Sequence, residues 1–246
     1  MAILIFFITH WFLSLFFQTF FQHRYASHRM FTMSKGWERI FYFMAFIFEG
    51  ASFLNPRAYA MMHREHHAYS DTEKDPHSPH FFTDVFQLMK ATIITFRDHL
   101  KRTKDPEARF QGYYPEWPLI DRIGSSIASR LLFGAAYTWF YIEFVPKGSE
   151  WMFFMLPIHY LMGPLHGAIV NWCGHKYGYS NFDNKDKSKN TTPFDFLMLG
   201  ELFQNNHHRY PNSANFGKKW FEIDPVYPLM KLMDTLGIIR LKKVVQ

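Results

Sequence analysis

The sequence predicts an all-α integral membrane protein in which a cytosolic helical part holds a histidine-rich site for two metal ions. Three observations lead to this fold class. Apolar residues come in blocks of about 20, the helix length that crosses a bilayer core. Most histidines come in three short clusters, each just outside an apolar block. One cysteine among 246 residues leaves nitrogen and oxygen as the metal ligands.

Three apolar runs are predicted to be transmembrane helices: residues 1–20, 126–145 and 151–172. The first run has His10 as its only titratable side chain. It lacks the basic start and the small-residue cleavage site of a signal peptide, so we expect a retained anchor. A length of 246 residues indicates one domain, residues 1–246.

The basic residues predict that both polar parts of the chain lie on one side of the membrane. Segments 22–125 and 173–246 carry most of the lysines and arginines, so the positive-inside rule makes them mainly cytosolic. The run Ile40–Leu54 is about 15 residues long and contains Glu49, which favours a re-entrant segment over a fourth transmembrane helix. A formal net charge of +6 suits contact with anionic lipid, and no nucleic-acid-binding motif is visible.

Three short clusters have the spacing of metal ligands: His23–His28 reads HRYASH, His63–His67 reads HREHH and Gln204–His208 reads QNNHH. In the last two, the donor residues recur at i, i+3 and i+4, on one face of a helix. Asn171 and His175 form a fourth pair, one turn apart. The predicted metal ligands are His23, His28, His63, His66, His67, His175, His207 and His208, with Asn171 and Gln204 as further donors, direct or through water.

Eight imidazoles predict two metal ions, because one ion rarely takes more than six ligands. Imidazole sites suit zinc, copper, nickel or iron. HREHH does not match the HExxH pattern of metalloproteases, which favours redox chemistry. The isolated His10, His80 and His99 are predicted to be surface or structural residues. His159 and His166 share one helix face and are expected to pack in the bundle or line a channel.

The clusters resemble the three histidine boxes of the membrane fatty-acyl desaturases, HxxxxH, HxxHH and (H/Q)xxHH. Residues 71–77 (DTEKDPH), 171–175 (NWCGH) and 220–225 (WFEIDP) are also similar to that family. The resemblance is strongest to the acyl-CoA delta-9 (stearoyl-CoA) branch and its bacterial relatives. It implies a diiron centre at the cytoplasmic face of a bacterial inner membrane, O2 as co-substrate, and a cis double bond introduced into a fatty-acyl chain.

The resemblance also assigns roles around the metal site. Carboxylates near the boxes are expected to accept hydrogen bonds from ligating histidines; they are Asp71, Asp75 and Glu201. The basic residues expected to bind an anionic head group are Arg57, Lys101 and Arg102. Gln204 stands where the acyl-CoA branch has a histidine, and Met61 where animal acyl-CoA enzymes have an arginine. The carrier of the acyl chain therefore stays open.

Electrons are expected from a separate donor such as ferredoxin or cytochrome b5 with its reductase, because no haem, flavin or nicotinamide motif is visible. Two alternatives to a desaturase stay open: a diiron hydroxylase or alkane oxygenase on the same ligands, and a non-enzymatic membrane haem or metal carrier. Residues 184–190 (NKDKSKN) are expected to form a solvated loop, and residues 220–241 a cytosolic helix that packs against the site.

Overall fold

A computed structural model describes residues 1–104 and 106–242, and it is predominantly helical, as predicted. One small two-stranded sheet accompanies the helices. The helices are α1 (Ala2–Phe17, continued as π-helix through Gln18–Ser27), α2 (Lys35–Glu49), α3 (Pro56–Tyr69), α4 (Val85–Lys101), α5 (Pro118–Gly124), α6 (Ile127–Phe144), α7 (Leu156–Tyr160), α8 (Met162–Lys176), α9 (Gln204–Arg209) and α10 (Val226–Thr235), and the strands are β1 (Phe31–Met33) and β2 (Ile239–Leu241).

Polar residues just before the helices fix where several of them begin. Ser34, Asn55, Asp84 and Ser126 each accept a hydrogen bond from a backbone N–H in the first turn of α2, α3, α4 and α6. A side-chain oxygen at this position satisfies a donor that the helix itself cannot. Pro56 adds a fixed φ at the first position of α3. The start of α3 matters most, because this helix carries the second histidine cluster.

In the part of the chain that the structure describes, one helix is long and apolar enough to cross a membrane by itself. This is the 26-residue helix Ala2–Ser27, which has a mean hydropathy of 1.8 in its apolar window. The segments Glu150–Tyr160 and Met162–Lys176 pass the same test only as a pair. Two spans result if the pair counts as one. The helix α6 is formed where the sequence predicts it, but it is not among these candidates.

The predicted transmembrane run 151–172 is not one straight helix, because it bends by 76° between α7 and α8. Pro164 explains the break, since it has no N–H for the helical hydrogen bond to the preceding turn. The N–H of Gly163 leaves the helical pattern as well and donates to Ser52 Oγ at 3.0 Å. The bend therefore fastens α8 to the turn that follows α2.

The predicted re-entrant run forms α2 and then turns back through the 3-10 turn Gly50–Ser52 into α3. Gly50 has φ +50°, and a Cβ there would collide with the hydroxyl of Tyr137. A glycine is required at this position for both reasons. Aromatic side chains of α1 and α2, Phe20 and Tyr42 among them, are fully buried in the main hydrophobic core.

The sequence predicted one helix over residues 220–241. In the structure only Val226–Thr235 of this segment is helical. After α10 the chain forms β2, which pairs antiparallel with β1 so that Phe31 lies opposite Leu241. The fully buried Arg24 donates to Asp224 at 3.0 Å and ties this region to the first histidine cluster. The pairing closes the C-terminal region over the end of α1.

Candidate metal centre

The histidines of the three clusters meet in two adjacent groups. The first group brings together one ring nitrogen from each of five side chains, all within 4.8 Å of one another: His23, His28, His63, His67 and His207. The second group contains three: His66, His175 and His208. The rings of His67 and His208 lie 4.4 Å apart, centroid to centroid, so the groups are neighbours. All eight predicted ligands therefore lie in one place.

In the first group the Nε2 atoms point at one another. His23 Nε2 lies 2.9 Å from His207 Nε2, and His28 Nε2 lies 2.7 Å from His63 Nε2. His67 Nε2 also approaches His207 Nε2 to 2.9 Å. His207 Nε2 takes part in two of these contacts, and a single proton on it can form only one hydrogen bond. A metal ion requires nitrogen lone pairs directed at a common point, which this arrangement offers.

In the second group the Nδ1 atom of each histidine donates to a carboxylate. His66 pairs with Asp75 at 2.9 Å, His175 with Asp71 at 2.9 Å, and His208 with Asp186 at 2.8 Å. A proton held at Nδ1 leaves Nε2 as a lone pair. All three Nε2 atoms are buried and have no hydrogen-bond partner among the described residues.

His23 in the first group has a carboxylate partner of the same kind. Its Nδ1 donates to Glu201 at 2.7 Å to one carboxylate oxygen and 2.9 Å to the other, and Glu201 also accepts from Thr19. The three carboxylates that the resemblance singled out, Asp71, Asp75 and Glu201, each contact a different predicted ligand. The tautomers of half of the eight imidazoles are thereby set.

Burial keeps several of these imidazoles neutral at ordinary pH. Burial, followed by the charge that His23 would carry, lowers the pKa of His63 and of His207 well below the usual value. Burial and then His208 do the same to the pKa of His67. Burial also lowers the pKa of His208 to about 4, although the hydrogen bond to Asp186 acts to raise it. Neutral imidazoles are the form that binds a metal.

The donor set therefore fits two iron ions. Eight imidazole nitrogens divide into groups of five and three, and imidazole is a ligand that iron accepts. The unpartnered Nε2 atoms of the second group support this fit. A buried nitrogen without a hydrogen-bond partner destabilises the fold by about 1–3 kcal/mol. Coordination would remove that cost.

Gln204 is the first residue of α9, the helix that carries His207 and His208. Its Nε2 donates to the carbonyl of Glu201 at 2.6 Å, which leaves the amide oxygen free. Its Cγ packs so closely on Gly174 that a Cβ there would collide with it. Asn171 uses its amide N–H within α8, donating to the carbonyl of Gly167 at 2.9 Å. Both amides line the cavity described next.

An apolar cavity of about 650 Å³ opens onto the histidines. Side chains of α1, α3, α4 and α8 form its walls, and His23, His63 and Gln204 are part of its lining. His166 lines it too, with Nδ1 3.2 Å from the side-chain oxygen of Gln18. His159 instead packs in the bundle, where its Nε2 lies 2.9 Å from the hydroxyl of Tyr141.

Two of the three predicted head-group residues are engaged elsewhere. Arg57 is buried, donates to the carbonyl of His99 at 2.8 Å and lies 3.8 Å from Glu116. Arg102 lies 2.7 Å from the same carboxylate. Of the three predicted head-group residues, Lys101 alone lines the cavity. No local pattern in the sequence marks this pairing, because it depends on the fold.

Sequence reasoning missed two residues of the site. Asp186 lies in the loop expected to be solvated, yet it binds His208, and Asn190 of the same loop is fully buried. No local pattern marks Asp186, because its partner is 22 residues away. His77, in the DPH motif, is 3% exposed, and its ring centroid lies 4.5 Å from that of His66 with the rings tilted by 45°. Its backbone N–H donates to Asp75. In the sequence, only its place in the DPH motif marks it.

The remaining histidines outside the boxes are held by other groups. His10 and His99 are buried rather than at the surface: His10 approaches His159, and His99 donates to Glu65 at 3.0 Å. His80 donates to the carbonyl of His175 at 3.0 Å. His80 thus supports the backbone of a predicted ligand, which is a structural role.

The fold and the site together define a helical protein with two adjacent histidine groups, each able to hold a metal ion, beside an apolar cavity. The sequence profile of the family described as "Fatty acid desaturase" matches residues 1–236. The chain therefore belongs to the fatty acid desaturase family, which is membrane-associated and consists of oxidoreductases. The resemblance drawn from the histidine boxes is confirmed.

Similar proteins include desaturases of more than one kind. The chain is 28% identical to a delta-9 desaturase-like protein of Arabidopsis thaliana over 89% of this chain and 70% of that protein. It is 28% identical to an acyl-CoA 5-desaturase of Anemone leveillei over 88% of this chain, and 29% identical to an sn-1 stearoyl-lipid 9-desaturase of Synechocystis over 89%. The chain spans 64% of the length of each of the last two relatives.

Proposed function

We propose that this protein introduces a cis double bond into a fatty-acyl chain, using a diiron centre, O2 and two electrons from a separate donor. The observation that carries the proposal is the opening of an apolar cavity onto the five-histidine group, through His23 and His63. Such a cavity brings methylene groups beside the metals and keeps water away. The relatives' names support a delta-9-like reaction on an acyl-CoA or a lipid-linked chain.

The reaction balances with the components named. One O2, two electrons and two protons combine with two hydrogens removed from adjacent methylenes, giving the alkene and two waters. The two irons, when bound, supply the reduction of O2 to an oxidant strong enough for an unactivated C–H bond. The histidines would hold the irons, five side chains at one and three at the other, together with Asn171 or Gln204 as a weaker donor.

The carboxylates Asp71, Asp75, Asp186 and Glu201 keep the imidazoles oriented during turnover. Each carboxylate accepts a hydrogen bond from the Nδ1–H of one histidine and so fixes the orientation and the tautomer of that ring. The amide oxygen of Gln204 is proposed as the donor that differs most from imidazole. Because an amide oxygen is a weaker ligand than imidazole, Gln204 would hold an iron less tightly or through a water molecule.

The arrangement in the membrane is proposed from the pattern of apolar and basic segments. One domain, residues 1–246, would cross the bilayer more than once, with the histidine groups at the cytoplasmic face. The apolar helix Ala2–Ser27 supports this, because it ends among the metal-binding side chains. The basic segments on the same side then meet anionic lipid and an acidic electron carrier.

Expression in a desaturase-deficient host tests the proposal. We expect a new cis double bond in the host's fatty acids, located by mass spectrometry, and we expect none from a His66→Ala, His175→Ala double variant. A hydroxylated chain in place of an alkene would contradict desaturation and identify the hydroxylase alternative. A Soret band in the purified protein would contradict the diiron assignment.

A further inference from the structure

Residues 192–199 (TPFDFLML), between α8 and α9, expose apolar side chains in a part of the chain that the sequence predicts to be mainly cytosolic. We call these residues the apolar segment. Phe194, Phe196 and Leu197 are 58%, 56% and 61% exposed, whereas Asp195, the one charged residue of the segment, is 1% exposed. Clustered apolar side chains at a surface mark contact with a membrane or with another protein.

The apolar segment lies against α1, at a distance from the histidines. The indole N–H of Trp11 donates to the backbone carbonyl of Leu197 at 3.0 Å. Along the helix, Trp11 is about three turns, roughly 16 Å, from His23. With the histidine groups at the cytoplasmic face, as proposed above, this contact falls inside the hydrocarbon core, which is about 30 Å thick.

The surface of α1 beside this contact is apolar as well. Ile8 and Phe12 are both exposed. They share one helix face with Trp11, because the three residues have the spacing i, i+3 and i+4. The apolar segment therefore extends the surface that α1 would present to lipid, and this continuity favours lipid over a protein as the partner.

The carboxylate of Asp195 serves the backbone of the segment instead of facing solvent. It accepts from the backbone N–H of Met198 at 2.9 Å and from that of Leu202 at 2.8 Å. The carbonyl of the same residue accepts from the N–H of Gly200 at 3.0 Å. The single charge of the segment is therefore enclosed in hydrogen bonds.

Other carbonyls of the apolar segment also have partners within the protein, although the segment forms neither helix nor strand. The hydroxyl of Thr192 donates to the carbonyl of Phe194 at 2.8 Å, and Trp11 donates to that of Leu197. A backbone group in hydrocarbon has no water to bind, so irregular chain is tolerated there only where the protein supplies the partners. These contacts supply them.

The buried side of the apolar segment supports the wall of the acyl cavity. Met198 packs in one cluster with Leu202, Leu15 and Val170. The last two of these residues line the cavity. The segment therefore lies between the cavity wall and the outer surface of the protein.

We propose that the apolar segment inserts into the cytoplasmic leaflet beside α1, with Phe194, Phe196 and Leu197 among the acyl chains of the lipid. The inference rests on the membrane arrangement proposed above and adds a non-helical membrane contact to it. The bilayer then covers the outer side of the segment, whose inner side supports the cavity wall.

Spin labelling of the purified protein in lipid nanodiscs tests the inference. A nitroxide is attached to Phe196→Cys, Ile8→Cys or Lys185→Cys, each in a Cys173→Ala background that removes the one native thiol. All three positions are exposed. Ile8 is the reference for lipid, and Lys185, seven residues before the segment, is the control for solvent. Iron content equal to that of the wild type shows that a variant is folded.

We expect the label at position 196 to behave like the label at position 8. Both should be relaxed by O2, which concentrates in hydrocarbon, and should lose the relaxation by a water-soluble nickel chelate that the label at position 185 retains. Equal access of the chelate to positions 196 and 185 would overturn the inference. Protection of position 196 from both O2 and the chelate would also overturn it, because that result indicates cover by protein, such as a second copy of this chain.

The measurement separates this inference from the proposals on which it rests. Access of the chelate to position 8 would overturn the membrane arrangement itself, and the inference with it. The labels do not depend on turnover, so absence of alkene from protein that shows the expected accessibilities would count against the proposed function alone.

Discussion

Carboxylates fix which ring nitrogen faces the proposed metal centre in four of the eight imidazoles. A neutral imidazole carries one proton, and a carboxylate at Nδ1 holds that proton there. Four of the eight histidines have such a partner in the structure: His23 with Glu201, His66 with Asp75, His175 with Asp71, and His208 with Asp186. In these four histidines Nε2 is therefore the nitrogen available to a metal ion.

The substitution Asp186→Asn should weaken metal binding at the three-histidine group. One oxygen of Asp186 accepts from Ser188, which leaves the amide N–H of the variant facing His208 Nδ1 and favours the wrong tautomer. We expect about 10–100-fold lower affinity for one of two ions. A cobalt titration followed by absorbance measures it. Asp183→Asn, at an exposed position three residues earlier, should bind like the wild type. Equal affinities for both variants would show that the carboxylate is dispensable.

At this scale, the sequence predicted residues whose relation is local. His63, His66 and His67 share a helix face because of their spacing alone, so the prediction needed no tertiary structure. Asp186 depends on a loop that returns to α9, and the pairing of Arg57 with Glu116 depends on how α3 meets the chain after α4. Neither relation has a local pattern to mark it.

At the scale of elements, α8 and α9 meet where a glycine permits close approach. A methyl group on Gly174 would collide with Gln204, next to the predicted ligand His175. A methyl group on Gly167, in the same helix, would meet nothing within 4 Å. The two glycines thus allow a matched comparison of contact and helix propensity.

Gly174→Ala should displace Gln204 and lower both the thermal midpoint and the metal content. Gly167→Ala should be neutral or slightly stabilising, because alanine favours a helix by about 0.5–1 kcal/mol over glycine. Thermal unfolding in detergent and metal analysis on the same samples give the comparison. If Gly174→Ala retained both metals and the wild-type thermal midpoint, the close contact between Gly174 and Gln204 would not be needed for the structure.

The turn after α2 contains a buried acid that makes stability depend on pH. Burial raises the pKa of Glu49 to about 8, even though Leu54 N–H and Gln22 donate to its carboxylate. The folded protein then binds a proton that the unfolded chain, with a pKa near 4.5, has lost. This contribution to stability is complete below about pH 4.5 and declines as the pH rises to about 8.

Glu49→Gln should remove that part of the pH dependence, because its side chain is neutral throughout. Thermal midpoints between about pH 5 and 9 provide the measurement, with the wild type falling more steeply than the variant as the pH rises. Glu73→Gln, at an exposed position, serves as the control and should follow the wild type. Parallel curves for wild type and Glu49→Gln would contradict protonation of Glu49 in the folded state.

For the whole molecule, the sequence predicted the helical class and the meeting of the histidine clusters, because block hydropathy and charge constrain both. It did not predict the 76° bend, which depends on Gly163 donating to Ser52 across the fold. The sequence did not predict the cavity either, since its walls come from several helices distant along the chain. Only the assembled fold shows that the cavity and the histidines meet.

The central claim is that the clusters build one centre for two metal ions. Iron analysis of anaerobically purified protein, expressed per chain, tests it most directly. We expect two irons per chain, and about one in a variant with His66, His175 and His208 all changed to alanine. One iron per chain in the wild-type protein would contradict it.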